Sequence, residues 1–366
     1  MRHSIKVRTG RGIQCLTSLL GDSTTLPIRM WPDLTIQLAQ GDSAMRARYS
    51  NLALTAFSAA SIGFAFQASA DTIINASGID PTYSVFIVAV DGGFYEEEGL
   101  DAEYRLFESG SAAAEVVVTG NAHITSGSEL SGIGFRDRGA PLVIIASAMR
   151  SDRQMGAIAR EGIEAPEDLV GQTVGVSFGN ASQFYWSLYA SHYGLSEEEI
   201  TVTNIGPPEM VPALATGQID AYFVWEPWLE NGLRTVENAN RLHRSGDDDV
   251  YTLDMAYLIH EDLLEDTETL HAMMRALDNA TNFINEEREQ AAEMVSQAMN
   301  IELEDTLNIM EGLNFEVRLE QSFLEGQEDA AAWMLDAGLI DESPELIGGY
   351  IRPEVMQELF PDRVDF

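Results

Sequence analysis

The sequence predicts an α/β protein made of two similar lobes, each a mostly parallel sheet flanked by helices, and three observations carry that expectation. From Asp71 onward, short β-like runs alternate with helical stretches, the pattern of parallel strands joined by helical crossovers. Two segments, "DAEYRLFESGSAAAEVVVTGNAHITSGSE" and "EITVTNIGPPEMVPALATGQIDAYFVWEP", repeat one plan: a strand, a turn of small or rigid residues, a helix closed by Thr-Gly, and a second strand. The two Thr-Gly pairs, at 119/120 and 216/217, lie 97 residues apart, and each glycine suits a left-handed helix cap. No linker rich in Pro, Gly or Ser interrupts this run, and 366 residues of 45% hydrophobic content suffice for two cores.

The first seventy residues stand apart from that fold. Met45 opens a stretch with Arg46 and Arg48, an apolar run from Leu52 to Phe66, and the small-residue end Ala68-Ser69-Ala70. This is the pattern of a cleavable secretory signal peptide over residues 45–70, so cleavage is expected near Ala70/Asp71 and the location is expected to be periplasmic. The apolar segment is too short and too rich in Ala and Ser for a membrane anchor. Residues 1–44 are expected to be a non-native upstream extension without structure. Cys15, the single cysteine, lies in that extension, so the exported chain would hold no disulfide and no lipid-bearing cysteine.

Charge excludes some partners. From Asp71 onward there are 14 basic residues, all arginine, against 56 acidic ones. Such a surface repels nucleic acid and anionic lipid. It suits a salt-rich exterior, where a Debye length of about 3 Å at 1 M screens self-repulsion.

Taken in order, "SGIDPTYS" is a turn that places Tyr83 before the first long helix, and "IEAPEDLVGQTVGV" reads as a short Pro-started helix leading into a strand. That strand, Thr173 to Ser177, runs into Phe178-Gly179-Asn180-Ala181-Ser182, where Asn180 or Ser182 would cap a helix carrying Phe184, Tyr185, Leu188 and Tyr189. "YLIHEDLL" is the last clear strand. Amphipathic helices such as "TETLHAMMRALDNATNFINEE" follow, and their Met, Leu and Ala residues recur at core spacing.

Ligands of open parallel sheets bind beyond the carboxyl ends of strands, where loops enter helix N-termini. The unusual short motifs fall at such points: Ser109-Gly110-Ser111, Ser126-Gly127-Ser128-Glu129, Gly179-Asn180-Ala181-Ser182-Gln183, Gly206-Pro207-Pro208-Glu209 and Trp225-Glu226-Pro227-Trp228. Small residues let backbone N–H groups face outward, and the helix dipole adds partial positive charge, which makes a seat for an anionic oxygen. An N-cap serine in a plain turn accounts for any one of these alone; their joint occurrence at equivalent points of two lobes points to a cleft.

Catalytic signatures are absent from the sequence. There is no Gly-x-Ser-x-Gly elbow, no phosphate loop ending in Gly-Lys and no dinucleotide fingerprint after a strand. His123, His192, His243, His260 and His271 lack metal-ligand spacing, and His123 reads as a satisfied core histidine. The acidic "SGDDDV" reads as a solvated loop.

Four stretches in order, "GGFYEEEGLDAEY", "APEDLVGQTVGV", "GNASQFYWSLYASHYGL" and "ALATGQIDAYFVWEPWL", closely resemble the nitrate/sulfonate/taurine branch of ABC-transporter substrate-binding proteins. The resemblance runs from about residue 71 to about residue 340. It implies a two-lobed periplasmic-binding-protein fold of type II, with two hinge crossings and a ligand cleft between the lobes. Residues 71–155 plus 259–366 would form lobe 1, and residues 156–258 lobe 2.

It implies a monomeric, non-enzymatic binding protein that uses no cofactor or metal and docks, ligand trapped, on the membrane subunits of an ABC permease. The expected ligand contacts are Tyr83, Ser109, Gly110, Ser111, Ser126, Gly127, Ser128, Glu129, Gly179, Asn180, Ala181, Ser182, Gln183, Trp225, Glu226 and Trp228. Of the two tryptophans, Trp225 would face ligand while Trp228 packs beneath it. Glu129 and Glu226 flanking the cleft would favour a zwitterion such as taurine, although Glu226 could equally brace the hinge. Nitrate, bicarbonate or a pyrimidine or thiamin precursor are the alternative ligands. A thiamin-pyrimidine-synthase-like enzyme is the remote one.

Overall fold

A computed structural model describes residues 72–196 and 198–366. The expected extension and signal peptide lie outside these residues. Two sheets form the frame. The first contains β1 (Ile73–Gly78), β2 (Ala102–Phe107), β3 (Ile124–Ser128) and β4 (Leu142–Ser151). The second contains β5 (Met155–Ala159), β6 (Thr173–Val176), β7 (Thr201–Asn204), β8 (Ala221–Trp225) and β9 (Asn240–Arg244). The chain then returns to the first sheet with β10 (Leu253–His260) and the two-residue edge strand β11 (Asn314–Phe315).

Strand order runs β11-β4-β10-β3-β1-β2 in the first sheet and β7-β6-β8-β5-β9 in the second. Reversing the second gives β9-β5-β8-β6-β7, so β3-β1-β2 corresponds to β8-β6-β7 and the internal repeat is a repeat of topology. In both triplets the strands pair in parallel. In both, one antiparallel strand supplied by the other side of a crossing lies beside the triplet: β10 against β3, and β5 against β8. The two crossings, Ser151 to Met155 and Arg244 to Leu253, make this the two-lobed periplasmic-binding-protein fold.

The repeat extends to single hydrogen bonds. Helices Gly110–Val118 and Pro207–Ala215 are nine residues each, and both end at Thr-Gly. The Thr119 hydroxyl donates to the Glu115 carbonyl (3.0 Å), and the Thr216 hydroxyl donates to the Pro212 carbonyl (2.9 Å). Gly120 and Gly217 then take φ of 71° and 72°, the left-handed conformation that a side chain would strain.

The C-terminal helices complete the first lobe. Asp266 caps the helix Thr267–Glu286 by accepting from the Thr269 N–H (3.2 Å), and that helix buries Leu270, Met273, Met274, Leu277 and Ile284 on one face. Each such side chain contributes about 1.5–3 kcal/mol on burial. It packs on helix Ser84–Asp91, and helix Gln321–Asp336 packs on helix Glu129–Asp137. From helix 321–336, Trp333 Nε1 donates across to Ser187 Oγ of helix Ala181–His192 (2.8 Å), and the Trp333 ring lies 5.1 Å from that of Phe184. No helix among the described residues is long and apolar enough to cross a membrane.

Candidate functional site

A cavity of about 420 Å³, partly open to solvent, lies between the lobes. Its first-lobe wall comes from the turns after β1, β2 and β3. Asp80 starts the first turn: its carboxylate accepts from the Thr82 N–H (3.0 Å) and the Thr82 hydroxyl, which caps the short helix Pro81–Tyr83. Burial pushes the Asp80 carboxyl up to about 6 while the two Thr82 bonds oppose that rise. Tyr83 is buried between two glycines that leave space for its ring. A Cβ on Gly78 would stand 2.4 Å from ring atom Cε2, and one on Gly110 would stand 2.5 Å from the hydroxyl.

Ser109 caps helix 110–118, its Oγ accepting from the Ala112 N–H (3.3 Å). Gly110 and Ser111 follow on the cavity wall, and the first N–H groups of a helix have no intrahelical acceptor. Ser128 stands at the N-cap position of helix 129–137 in the same wall, its hydroxyl turned to Ser131 rather than to a helix N–H. Ser131, one helical turn on, stands 3.5 Å from both the Ser128 and the Ser111 hydroxyls, so three serines link two helix N-termini.

The second lobe brings Asn180, Ala181 and Trp225 to the same cavity. Asn180 caps helix 181–192 by accepting from the Ser182 N–H (3.0 Å) and donates to Ser177 Oγ (2.8 Å). Three helix N-termini therefore meet at one cavity, and neither arginine nor lysine lines it. Oriented amides and hydroxyls, with the helix dipoles behind them, can hold an oxyanion there without a formal positive charge. Trp225 adds an aromatic surface.

The other expected contacts sit elsewhere. Ser126 and Gly127 lie inside β3 behind the wall, and a Cβ on Gly127 would meet Leu258 at 2.8 Å. Ser182 is a buried latch: its Oγ accepts from the Ser177 N–H (2.9 Å) and donates to the Phe223 carbonyl (2.6 Å). Gly179, at φ 75°, donates its N–H to Gln183 Oε1 (2.9 Å), and both residues border a neighbouring opening beside Phe178 rather than this cavity. Ser111 and Ser131 border both spaces. Trp228 packs with the second lobe's apolar core and accepts through its carbonyl from the Tyr222 hydroxyl (2.9 Å).

The two glutamates are braces in this geometry. Glu129 is buried, accepting from the Tyr251 hydroxyl on the second crossing (3.1 Å) and from the Asp254 N–H at the start of β10 (3.2 Å). Burial and then the Asp254 carboxylate push its carboxyl up to about 8. Glu226 accepts from the Glu230 N–H (3.0 Å), so it caps helix Trp228–Thr235, and from Arg244 (3.3 Å). Burial raises its pKa, against the Glu230 and Arg244 contacts. Neither lines the cavity.

In their place stand residues the sequence reading did not single out: Asp80, Thr82, Ser131, Gln154, Met155, Leu253 and Met255. Asp80 could be found from the Asp-Pro pair, an N-cap followed by proline at the first helical position. Ser131 could be found from its three-residue offset to Ser128, which puts both on one helix face. Gln154 and Met155 on the first crossing, and Leu253 and Met255 on β10, carry no local signal. His123, half-buried, accepts at Nδ1 from the Ile74 N–H (2.9 Å), and Asp248 of the acidic loop accepts from the Tyr193 hydroxyl (2.6 Å).

Comparison with known proteins places this geometry in context. Residues 80–291 match the family described as NMT1/THI5 like. A taurine-binding periplasmic protein of Escherichia coli is 25% identical over 185 residues, 50% of this chain and 55% of that protein. The match thus spans about half the length of that relative. A putative aliphatic sulfonates-binding protein of Bacillus subtilis is 22% identical over 283 residues, 72% of this chain and 82% of the relative. The crystal structure of an alkanesulfonate-binding protein from Xanthomonas axonopodis pv. citri, bound to MOPS, superposes with a TM-score of 0.68 at 15% identity, covering 78% of this chain and 99% of that one.

Proposed function

This chain belongs to the NMT1/THI5-like family, and from that premise we propose that it is a periplasmic solute-binding protein that delivers a small organic anion or zwitterion to an ABC importer. Taurine or another alkanesulfonate is the ligand best matched to the site. One observation carries this reading: three helix N-termini, with Ser109, Ser128 and Asn180 at their N-cap positions, meet at a cavity that no arginine or lysine lines. A sulfonate offers three oxygens to such donors, and the Trp225 ring suits a short carbon body. The names of the relatives support the same class of ligand. The protein acts as a monomer and breaks no bond. The lobes close on the ligand and present it to the permease.

A thermal-shift screen of the purified protein in high salt, against taurine, alkanesulfonates, nitrate, bicarbonate and pyrimidine precursors, tests the reading. A ligand at a hundred times its Kd stabilises by about 2.7 kcal/mol, a shift the screen resolves. Response to a sulfonate is the expected result. Response to nitrate or bicarbonate alone overturns the sulfonate assignment, and silence toward every anion overturns the site.

A further inference from the structure

The cavity has an acceptor side as well as a donor side. Asp80 is the one carboxylate among the residues that line it, and the two bonds from Thr82 hold it in place. Gln154, on the first crossing and 1% exposed, lies between this cavity and a second opening bordered by Arg153, Glu226 and Arg244. Its Nε2 donates to the Glu226 carbonyl (3.2 Å), which settles the orientation of the amide, since a flipped side chain would set oxygen against oxygen. Its Oε1 is then a buried acceptor with no hydrogen-bond partner among the described residues. Buried acceptors left unmatched are costly, so a ligand N–H that reaches this oxygen recovers that cost. Trp225 borders the same space, and an indole ring attracts a cation.

We propose that Asp80 and Gln154 are the specificity-determining residues for a ligand ammonium group, so that the ligand is a short zwitterion with an oxyanion at one end and a primary amine at the other. This rests on the reading above, in which the helix N-termini take the oxyanion. The acceptor pair thus assigns to Asp80 and Gln154 the role that the sequence suggested for Glu129 or Glu226. Gln154 also ties recognition to closure. It sits on the first crossing and bonds the turn that follows β8, so an ammonium bound to it engages both lobes at the hinge.

The test is calorimetric titration of the purified protein with matched pairs: 2-aminoethanesulfonate against ethanesulfonate, and 3-aminopropanoate against propanoate. The amine-bearing member of a pair is expected to bind at least about tenfold more tightly, roughly 1.4 kcal/mol. Whichever pair binds identifies the oxyanion as sulfonate or carboxylate. Asp80→Asn keeps the cap on Thr82, and Gln154→Met keeps the volume. Each is expected to bring the amine preference toward one, whatever its effect on the amine-free ligand. The ratio is read within one protein, so partial loss of folded material does not mimic the result. Equal binding of amine-bearing and amine-free ligands by the unaltered protein overturns this proposal alone, as does a preference that survives both substitutions. Failure of every sulfonate and carboxylate to bind overturns the parent reading and this one with it.

Discussion

Gln154 and Glu226 are joined by a reciprocal pair of hydrogen bonds: the Glu226 N–H donates to the Gln154 carbonyl (3.0 Å), and Gln154 Nε2 donates to the Glu226 carbonyl (3.2 Å). The pair ties the first crossing to the Trp-Glu-Pro-Trp turn, so that turn is hinge architecture on one side and cavity wall on the other. Only Trp225 of the four reaches the cavity.

Both tryptophans pack, partly buried, against the second lobe's apolar core, but only Trp225 also lines the cavity. Trp225→Ala is expected to weaken ligand affinity by at least about tenfold, as for an aromatic group that covers a ligand in an enclosed site. Trp228→Ala is expected to leave affinity nearly unchanged and to cost about 2–4 kcal/mol of stability, because it empties space in the second lobe's core. Titration calorimetry and urea unfolding of both variants check the division.

Glu226→Gln distinguishes a brace from an ammonium partner. Its oxygen can still cap the Glu230 N–H, while its ion pair with Arg244 is lost. The expected outcome is a lower Tm with affinities for amine-bearing and amine-free sulfonates changed by the same factor. A selective loss for the amine-bearing ligand contradicts the brace.

The latch at Ser182 is expected to matter for folding. Ser182→Ala leaves the Ser177 N–H and the Phe223 carbonyl without their side-chain partner in a buried place, at a cost of about 1–3 kcal/mol. Chemical denaturation reads that loss, and the midpoint should fall without a change in slope.

Glu129 gives the stability a pH dependence with a definite sign. Its folded pKa, about 8, lies above the ordinary carboxyl value of 4.5, because burial and the Asp254 carboxylate disfavour its charge. Facing it are the Tyr251 hydroxyl and the Asp254 N–H, and Asp254 in turn pairs with Arg150 (3.2 Å). The folded state thus binds the proton more tightly, so this contribution is complete below about pH 4.5 and is lost as pH rises through 8. Glu129→Gln keeps an oxygen for the Asp254 N–H, can turn its amide NH2 to the Tyr251 hydroxyl oxygen, and cannot ionise. Relative to the unaltered protein its Tm should rise between pH 6 and pH 9; a Tm difference flat across that range contradicts the assignment.

Much of the fold was legible because its signals are local. Alternating strand and helix patterns, two Thr-Gly closures and repeated small-residue turns follow from backbone geometry that neighbours in sequence impose, and they led to paired βαβ units and to the turns that bear Tyr83, Ser109, Ser128, Asn180 and Trp225. Which face of each turn meets the cavity was decided by tertiary packing. Ser126, Ser182 and Trp228 share composition with their neighbours, yet strand alternation and helix phase turn them inward. Glu129 and Glu226 found partners at the crossings, Tyr251 and Arg244, that are distant in sequence, so no local pattern marked them as braces. For the same reason the insertion of β10 between β3 and β4, and the arrival of Gln154 at the cavity, could come only from the folded chain, in which long-range pairing places residues that carry no signal of their own.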